Sequence, residues 1–264
     1  MNLPAILALA VTQGLTEFLP ISSSGHLVLA NRLLGVEEPG LLTEVVLHLG
    51  TLAAVLVYFR GDLIDLARGS IGSFRDPDAL SSREARRLLI ALAVGTVPAV
   101  LFGLLGADRI EPLYEDPRRT SFALLFTALV LLTTLAIPRG RSRVGPARAL
   151  GIGIGQALAL IPGVSRSGMT IAAGLHLRVE RREAARFSFL LSIPAILGAA
   201  VLEIGGAVGR GDPAPVALLG VGFLVAFGVG YGAIALMLRI VSGGRFGWFG
   251  IYCLLVGLAG LLWL

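Results

Sequence analysis

The sequence predicts an all-α, polytopic membrane protein. It is read as one integral membrane domain over 1–264, an inverted-topology repeat of a re-entrant helix hairpin followed by three transmembrane helices. Three observations predict this. The 264 residues are 55% hydrophobic and 15% charged, with a mean hydropathy of +0.85. A soluble domain carries about 25% charged residues, and several apolar runs here approach the roughly 20 residues that a span needs. A polar turn occurs twice, as Gln13-Gly-Leu-Thr-Glu-Phe-Leu-Pro-Ile-Ser-Ser-Ser-Gly-His26 and as Gln156-Ala-Leu-Ala-Leu-Ile-Pro-Gly-Val-Ser-Arg-Ser-Gly168. A gapless shift of 143 residues lays Gln13 on Gln156, Leu15 on Leu158, and Ser22, Ser24 and Gly25 on Ser165, Ser167 and Gly168. Finally, all 22 basic residues are arginine, and they gather in short loops between apolar runs.

Residues 2–19 are apolar apart from Asn2, Thr12, Gln13, Thr16 and Glu17, and Pro20 stops the helix. Helical character resumes over 25–35. Neither half is long enough to span, so the pair predicts a re-entrant hairpin whose bare backbone must be surrounded by protein or water. One kinked span with a serine-rich break is the alternative. Three spans follow at 41–59, 85–106 and 119–137. Residues 145–161 and 168–177 form the second broken pair, and spans at 184–208, 215–240 and 247–264 close the chain.

Repeat 1 covers about 1–140 and repeat 2 about 144–264. Three crossings separate the hairpins, so they must enter from opposite sides, as in repeats that bring broken helices together near the midplane. Alternation places sixteen arginines, in the loops Arg60–Arg87, Arg139–Arg148, Arg178–Arg186 and Arg239–Arg245, on one face. Arg32, Arg109, Arg118, Arg119 and Arg210 fall on the other. The positive-inside rule assigns the first group to the cytoplasm. The first hairpin then enters from outside and the second from inside. Membrane topology accounts for the net charge of +5 better than nucleic acid does. The loop 60–87 is expected to be a solvated connector with a short interfacial helix. The single Cys253 excludes an intramolecular disulfide, and the N-terminus shows no removable signal peptide.

Polar groups at membrane depth are expensive and read as functional. Glu17 follows Gln13 by four residues, so both project from one helix face. A buried carboxylate there needs a cation, either Arg166 or a bound divalent metal, and oxygen ligands suit Mg²⁺ or Ca²⁺. A Glu17 that only braces the hairpin is the bland alternative. Ser22, Ser23, Ser24 and Gly25 precede the second half-helix and offer more hydroxyls than one cap uses. A helix start with free amides is also an anion site. His26, in its first turn, is a candidate general acid or base, against the commoner structural histidine. In the second turn Gly163 gives backbone freedom, Ser165 and Ser167 repeat the hydroxyls, and Thr170 adds another. Arg166 replaces Ser23, and its fork suits phosphate oxygens; a purely structural Arg166–Glu17 pair is the other reading. These parts suffice for phosphoryl transfer, and a lipid-exposed setting argues that the phosphate arrives on a lipid. Glu44, His48, Ser188 and Ser192 are weaker leads that line the cavity or bond between helices, and Glu203 reads as a snorkelling residue.

At these residues the sequence resembles the undecaprenyl-diphosphate phosphatases of the bacitracin-resistance type. Gln13-Gly-Leu-Thr-Glu17 with the Ser-Gly-His26 tail corresponds to one family signature and Pro162-Gly-Val-Ser-Arg-Ser-Gly-Met-Thr170 to the other. The resemblance implies hydrolysis of undecaprenyl diphosphate to undecaprenyl phosphate and inorganic phosphate. That recycles the carrier for envelope polymers and confers bacitracin resistance. It also implies a divalent cation, Mg²⁺ or Ca²⁺, held by Glu17 and Gln13, and a bacterial plasma (inner) membrane location with the site open to the periplasmic or outer side. Glu17, His26 and Arg166 become the catalytic core, with Ser23 as nucleophile. Ser22, Ser24, Gly25, Gly163, Ser165, Ser167 and Thr170 contact the phosphates. Many members carry glutamate where this chain has Gln13. The expected reaction is a metal-assisted in-line attack, with His26 activating Ser23 or a water. A flippase using the same midplane site is the rival reading. The other integral lipid-phosphatase family is rejected, because its lysine-led motif is absent and position 172 is alanine. Membrane lipid is the other expected partner, and the assembly is left open, a homodimer included.

Overall fold

The computed structural model describes residues 2–27, 41–73, 76–110, 117–207 and 215–263, without the side chains of 41, 107–110, 117, 202–207 and 263. The described residues are helical with no strand; a lone bridge pairs Ser142 with Val179. In chain order the helices are α1 Leu3–Thr16, α2 Leu41–Tyr58, α3 Arg60–Gly72, α4 Leu80–Ile110, α5 Pro117–Thr133, α6 Pro146–Leu158, α7 Arg166–His176, α8 Arg181–Ala207, α9 Val216–Ser242 and α10 Phe249–Trp263. Short 3₁₀ turns follow α5 at Thr134–Ala136 and precede α10 at Phe246–Trp248.

Helices occupy all six segments expected to span. Four, within α4, α5, α8 and α9, are long and apolar enough to cross a membrane, and α2 with α3 makes a fifth if that bent pair is one span. The pair bends by 69°, and α3 already occupies much of the loop expected as a connector. α3 is polar, with Asp62 in its first turn, and Arg186 Nε of α8 donates to Asp62 Oδ1 at 2.6 Å. Arg143 bonds Glu84 at 2.9 Å on the same charged end.

Both broken pairs are present at their inner arms. α1 starts on Asn2, whose Oδ1 accepts from the Ala5 amide at 3.0 Å, and ends in turns over 17–21, with helix again at 23–27. The continuation expected to residue 35 lies outside the described residues, as do Arg32, Arg210 and the side chains of Arg109 and Glu203. The second pair turns between α6 and α7, and α7 starts two residues earlier than the sequence suggests because Ser165 caps it.

The packing is reciprocal. α1 lies along α9 while its counterpart α6 lies along α4; α2 meets α8, and α5 meets α10. Small residues permit these approaches: a Cβ on Gly153 of α6 would meet the Gly95 carbonyl of α4 at 2.3 Å. In a dry aromatic block, fully buried Phe18 of the first turn meets Phe189 of α8 edge-on, centroids 5.5 Å apart. It fixes the first turn against α8.

Candidate functional site

The two turns solve one backbone problem in parallel. Each second half-helix begins on a serine whose Oγ accepts the amide three residues on: Ser22 from Gly25 at 3.3 Å, Ser165 from Gly168 at 3.1 Å. That side chain satisfies one of the four orphan N–H groups of a helix start. Each capping serine also pairs with the serine two residues later, Ser22 with Ser24 at 3.2 Å and Ser165 with Ser167 at 3.4 Å. The next residue, Ser23 or Arg166, therefore stands at the same slot of the same motif. The bends differ. In the first, Ser22 itself takes a left-handed backbone, φ +71°, a conformation that costs a non-glycine residue on the order of 1–3 kcal/mol and is characteristic of functional turns. In the second, Gly163 at φ +88° makes the turn against α5, where a Cβ would lie 2.5 Å from the Thr120 carbonyl oxygen. Thr127 of α5 ties that turn down, its Oγ1 accepting the Ser165 amide at 3.2 Å and donating to the Gly163 carbonyl at 3.4 Å.

This geometry brings Glu17 and Arg166 together. Arg166 Nη2 donates to Glu17 Oε1. Glu17 Oε2 accepts from Ser23 Oγ at 2.9 Å and from Gln13 Nε2 at 3.0 Å. The carboxylate is buried, its side chain 6% exposed, and Arg166 is 16% exposed. An ion pair this dry holds only where further hydrogen bonds compensate for lost hydration; Ser23 and Gln13 supply them on the Glu17 side. On the Arg166 side they are missing, since Nη1 is buried without a partner. A guanidinium with one edge on a carboxylate and another donor unspent is half of a fork for a second oxyanion.

That pair lies in the wall of a cavity of about 190 Å³. Thr16, Glu17, Ser22, Ser23, Ser24, His48, Ser165 and Arg166 form its polar lining. Leu160, Val164 and, from α8, Ala195, Ile196, Ala199 and Ala200 add apolar lining. Polar groups for phosphates together with apolar ones for hydrocarbon are what a lipid headgroup requires.

The remaining expected site residues fall behind this wall. Ser167 donates to the Leu19 carbonyl at 3.1 Å and so joins the two turns. Thr170 is fully buried, bonding the Arg166 carbonyl at 2.8 Å and Ser188 Oγ at 2.6 Å. Gly25 and Gly163 serve the bends. His26 faces elsewhere: Nδ1 donates to the Ser22 carbonyl at 2.9 Å, and Nε2 is 2.8 Å from the Tyr252 hydroxyl, on which the ring also stacks. With both nitrogens engaged, and its ring outside the cavity lining, His26 makes no hydrogen bond to Ser23 here. The imidazole that does line the cavity is His48, with Nε2 3.8 Å from Glu17 Oε2. Its spacing from Glu44 marked it in the sequence only as a weaker lead, lining the cavity or bonding between helices. Thr127 and Tyr252 carried no such signal.

Among the described residues no three His, Cys, Asp or Glu side chains converge to hold a metal. The donor set nevertheless fits a hard cation that brings ligands with it. Gln13 Oε1 is buried with no donor, beside an amide nitrogen that touches Glu17. Mg²⁺ binds through one or two protein carboxylates completed by substrate phosphates and water, and Ca²⁺ takes a larger set of oxygens, carbonyls included.

Residues 6–259 match the family model described as bacitracin resistance protein BacA. The undecaprenyl-diphosphatase of Desulfosudis oleivorans is 45% identical over 261 residues, spanning 94% of each chain. That of Rubrobacter xylanophilus is 46% identical over 240 residues, 89% of this chain and 88% of its own. That of Alcanivorax borkumensis is 42% identical over 263 residues, 98% and 97%. This chain belongs to the BacA family of bacitracin resistance proteins.

Proposed function

We propose that this chain is an undecaprenyl-diphosphate phosphatase: it hydrolyses the terminal phosphoanhydride bond, yielding undecaprenyl phosphate and inorganic phosphate. It thereby recycles the lipid carrier of envelope polymers and removes the target of bacitracin. The observation that carries the reading is the meeting of Glu17, Ser23 and Arg166, from two separate turns, at a cavity lined by both polar and apolar residues.

Arg166 binds the terminal phosphate through its unspent donor, and the capped helix starts at Ser22 and Ser165 direct amides and hydroxyls at the diphosphate. Ser23 Oγ, already donating to Glu17 Oε2 at 2.9 Å, attacks phosphorus as its proton passes to that carboxylate. The phospholipid oxygen leaves opposite, and water then releases phosphate from Ser23. Glu17 rather than His26 is thus the base at Ser23. His26 acts as a positioning residue, holding the strained Ser22 carbonyl between the hairpin and Tyr252. A divalent cation, Mg²⁺ or Ca²⁺, would be held by Glu17 and the Gln13 carbonyl together with the diphosphate. Bound there, it neutralises charge on the transferring phosphoryl group.

The two hairpins enter from opposite leaflets, in an inverted repeat of six spans with the site open to the periplasmic face of the bacterial inner membrane. The reciprocal packing of α1 on α9 and α6 on α4 supports that arrangement, and so does the arginine bias.

The test is phosphate release from undecaprenyl diphosphate by detergent-solubilised protein, with and without chelator. Chelator-sensitive release is expected. A protein that releases none, yet moves the lipid between leaflets of sealed vesicles, is a flippase and refutes the proposal.

A further inference from the structure

We propose that His48 is a metal ligand: its Nε2 joins Glu17 and Gln13 in holding the divalent cation, so that the site has a nitrogen donor beside its oxygens. The inference rests on the phosphatase reading for the presence of a cation; the assignment of His48 rests on geometry.

His48 lies on α2 and lines the cavity, its side chain about one-third exposed. Its Nδ1 is 2.9 Å from the Glu44 carbonyl oxygen, so Nδ1 carries the proton and donates it. That fixes the tautomer and leaves the Nε2 lone pair directed into the cavity. A metal-binding histidine characteristically commits its other ring N–H in this way, to a carbonyl or carboxylate that sets its orientation.

The distances agree. Nε2 stands 3.8 Å from Glu17 Oε2, which is too long for a hydrogen bond. Two neighbouring ligands of an octahedral cation with bonds of about 2.2 Å stand about 3.1 Å apart, so a side-chain shift of less than about 1 Å brings both atoms to one cation. Gln13 completes the set. A half-turn of its amide is isosteric; it puts the now donorless Oε1 where Nε2 stands, 3.0 Å from Glu17 Oε2. Two ligands about 2.1 Å from one cation at a right angle have that spacing. The same turn removes a hydrogen bond from Oε2 and so frees a lone pair for the cation. The open positions belong to diphosphate oxygens and water.

An imidazole ligand has a chemical consequence. Mg²⁺ and Ca²⁺ prefer oxygen, whereas first-row transition ions gain from nitrogen, Mn²⁺ the least among them. Solubilised full-length protein is titrated with Mn²⁺ in the presence of methylenediphosphonate, and bound Mn²⁺ is examined by electron spin-echo envelope modulation. A directly bonded ¹⁴N coupling is expected in the wild type. It should be lost in His48→Gln and kept in His26→Gln and His176→Gln. His48→Gln should weaken Mn²⁺ about tenfold or more, the scale on which even supporting residues of a metal site act, and Mg²⁺ by far less. Wild-type protein without ¹⁴N coupling overturns the assignment without recourse to any variant, as does coupling that survives in His48→Gln. Phosphate release with Mg²⁺ separates the two readings: nitrogen-ligated Mn²⁺ with no turnover would sink the phosphatase and leave this site standing.

Discussion

A buried ion pair braces a fold or works a reaction, and the Glu17–Arg166 pair allows the two to be separated. Arg166→Met leaves a carboxylate, its side chain 6% exposed, with only Ser23 and Gln13 as donors. An uncompensated charge this deep costs about 3–5 kcal/mol. At roughly 2–3 °C per kcal/mol for a chain of this size, the thermal midpoint should fall by about 6–15 °C. Glu17→Gln on the same background removes the stranded charge and keeps both hydrogen bonds within reach. Stability should then return to within about 1–2 kcal/mol of wild type, since neutral replacement of a buried pair is often cost-free. Turnover should not return. Losing a donor aimed at developing charge lowers kcat by about 10²–10³, and losing the carboxylate removes the proton acceptor at Ser23. The assay pairs a detergent thermal-shift measurement with phosphate release on all four members of the cycle. If the double variant recovers activity together with stability, the pair is a brace and the reaction occurs elsewhere.

Two further outcomes follow from the turns. Ser23→Ala should reduce phosphate release by at least about 10³-fold and abolish acid-stable labelling of the protein by terminally labelled substrate; unchanged turnover would assign the attack to water. Gly163→Ala forces a Cβ to within 2.5 Å of the Thr120 oxygen at φ +88°, and should destabilise the protein by about 2–4 kcal/mol, measured as a lowered thermal midpoint, whereas Gly220→Ala, with open space around its Cβ position, should not.

What the sequence made legible was whatever local rules determine. Pro20 and the serine run break α1, and Ser165 in front of Arg-Ser-Gly caps α7, because caps and breaks need only near neighbours. The internal echo identified Ser23 and Arg166 as occupants of one slot, and the cost of burying either charge alone argued that Glu17 and Arg166 would meet. Three features escaped for a common reason. His26 turns to Tyr252, 226 residues away. Thr127 holds the second turn from α5, and α2 and α3 meet at 69°. Each depends on how one helix is rotated and tilted against another, which the packing of several helices sets together. A histidine on a short helix is therefore readable as polar and buried, but its direction is not. Which of His26 and His48 faces the carboxylate was decided by tertiary packing.

The duplication also constrains what the functional unit can be. In the first turn the position of Glu17 is acidic; its counterpart in the second is Leu160, part of the apolar lining of the cavity. The slot holding Ser23 in the first turn holds Arg166 in the second. Neither copy alone contains nucleophile, carboxylate and guanidinium. Two identical copies facing each other would have paired carboxylate with carboxylate or arginine with arginine, at a cost in like-charge repulsion that a dry site magnifies. Divergence after duplication resolves this: one carboxylate is shared, Oε1 to the arginine and Oε2 to the serine. Both turns of one chain therefore contribute to the cluster. The strained serine turn carries Ser23 and the glycine turn Arg166. The attack proposed for Ser23 would need a fixed direction toward phosphorus, which the left-handed Ser22 provides, whereas Arg166 reaches its partner along a flexible stem and tolerates a softer bend.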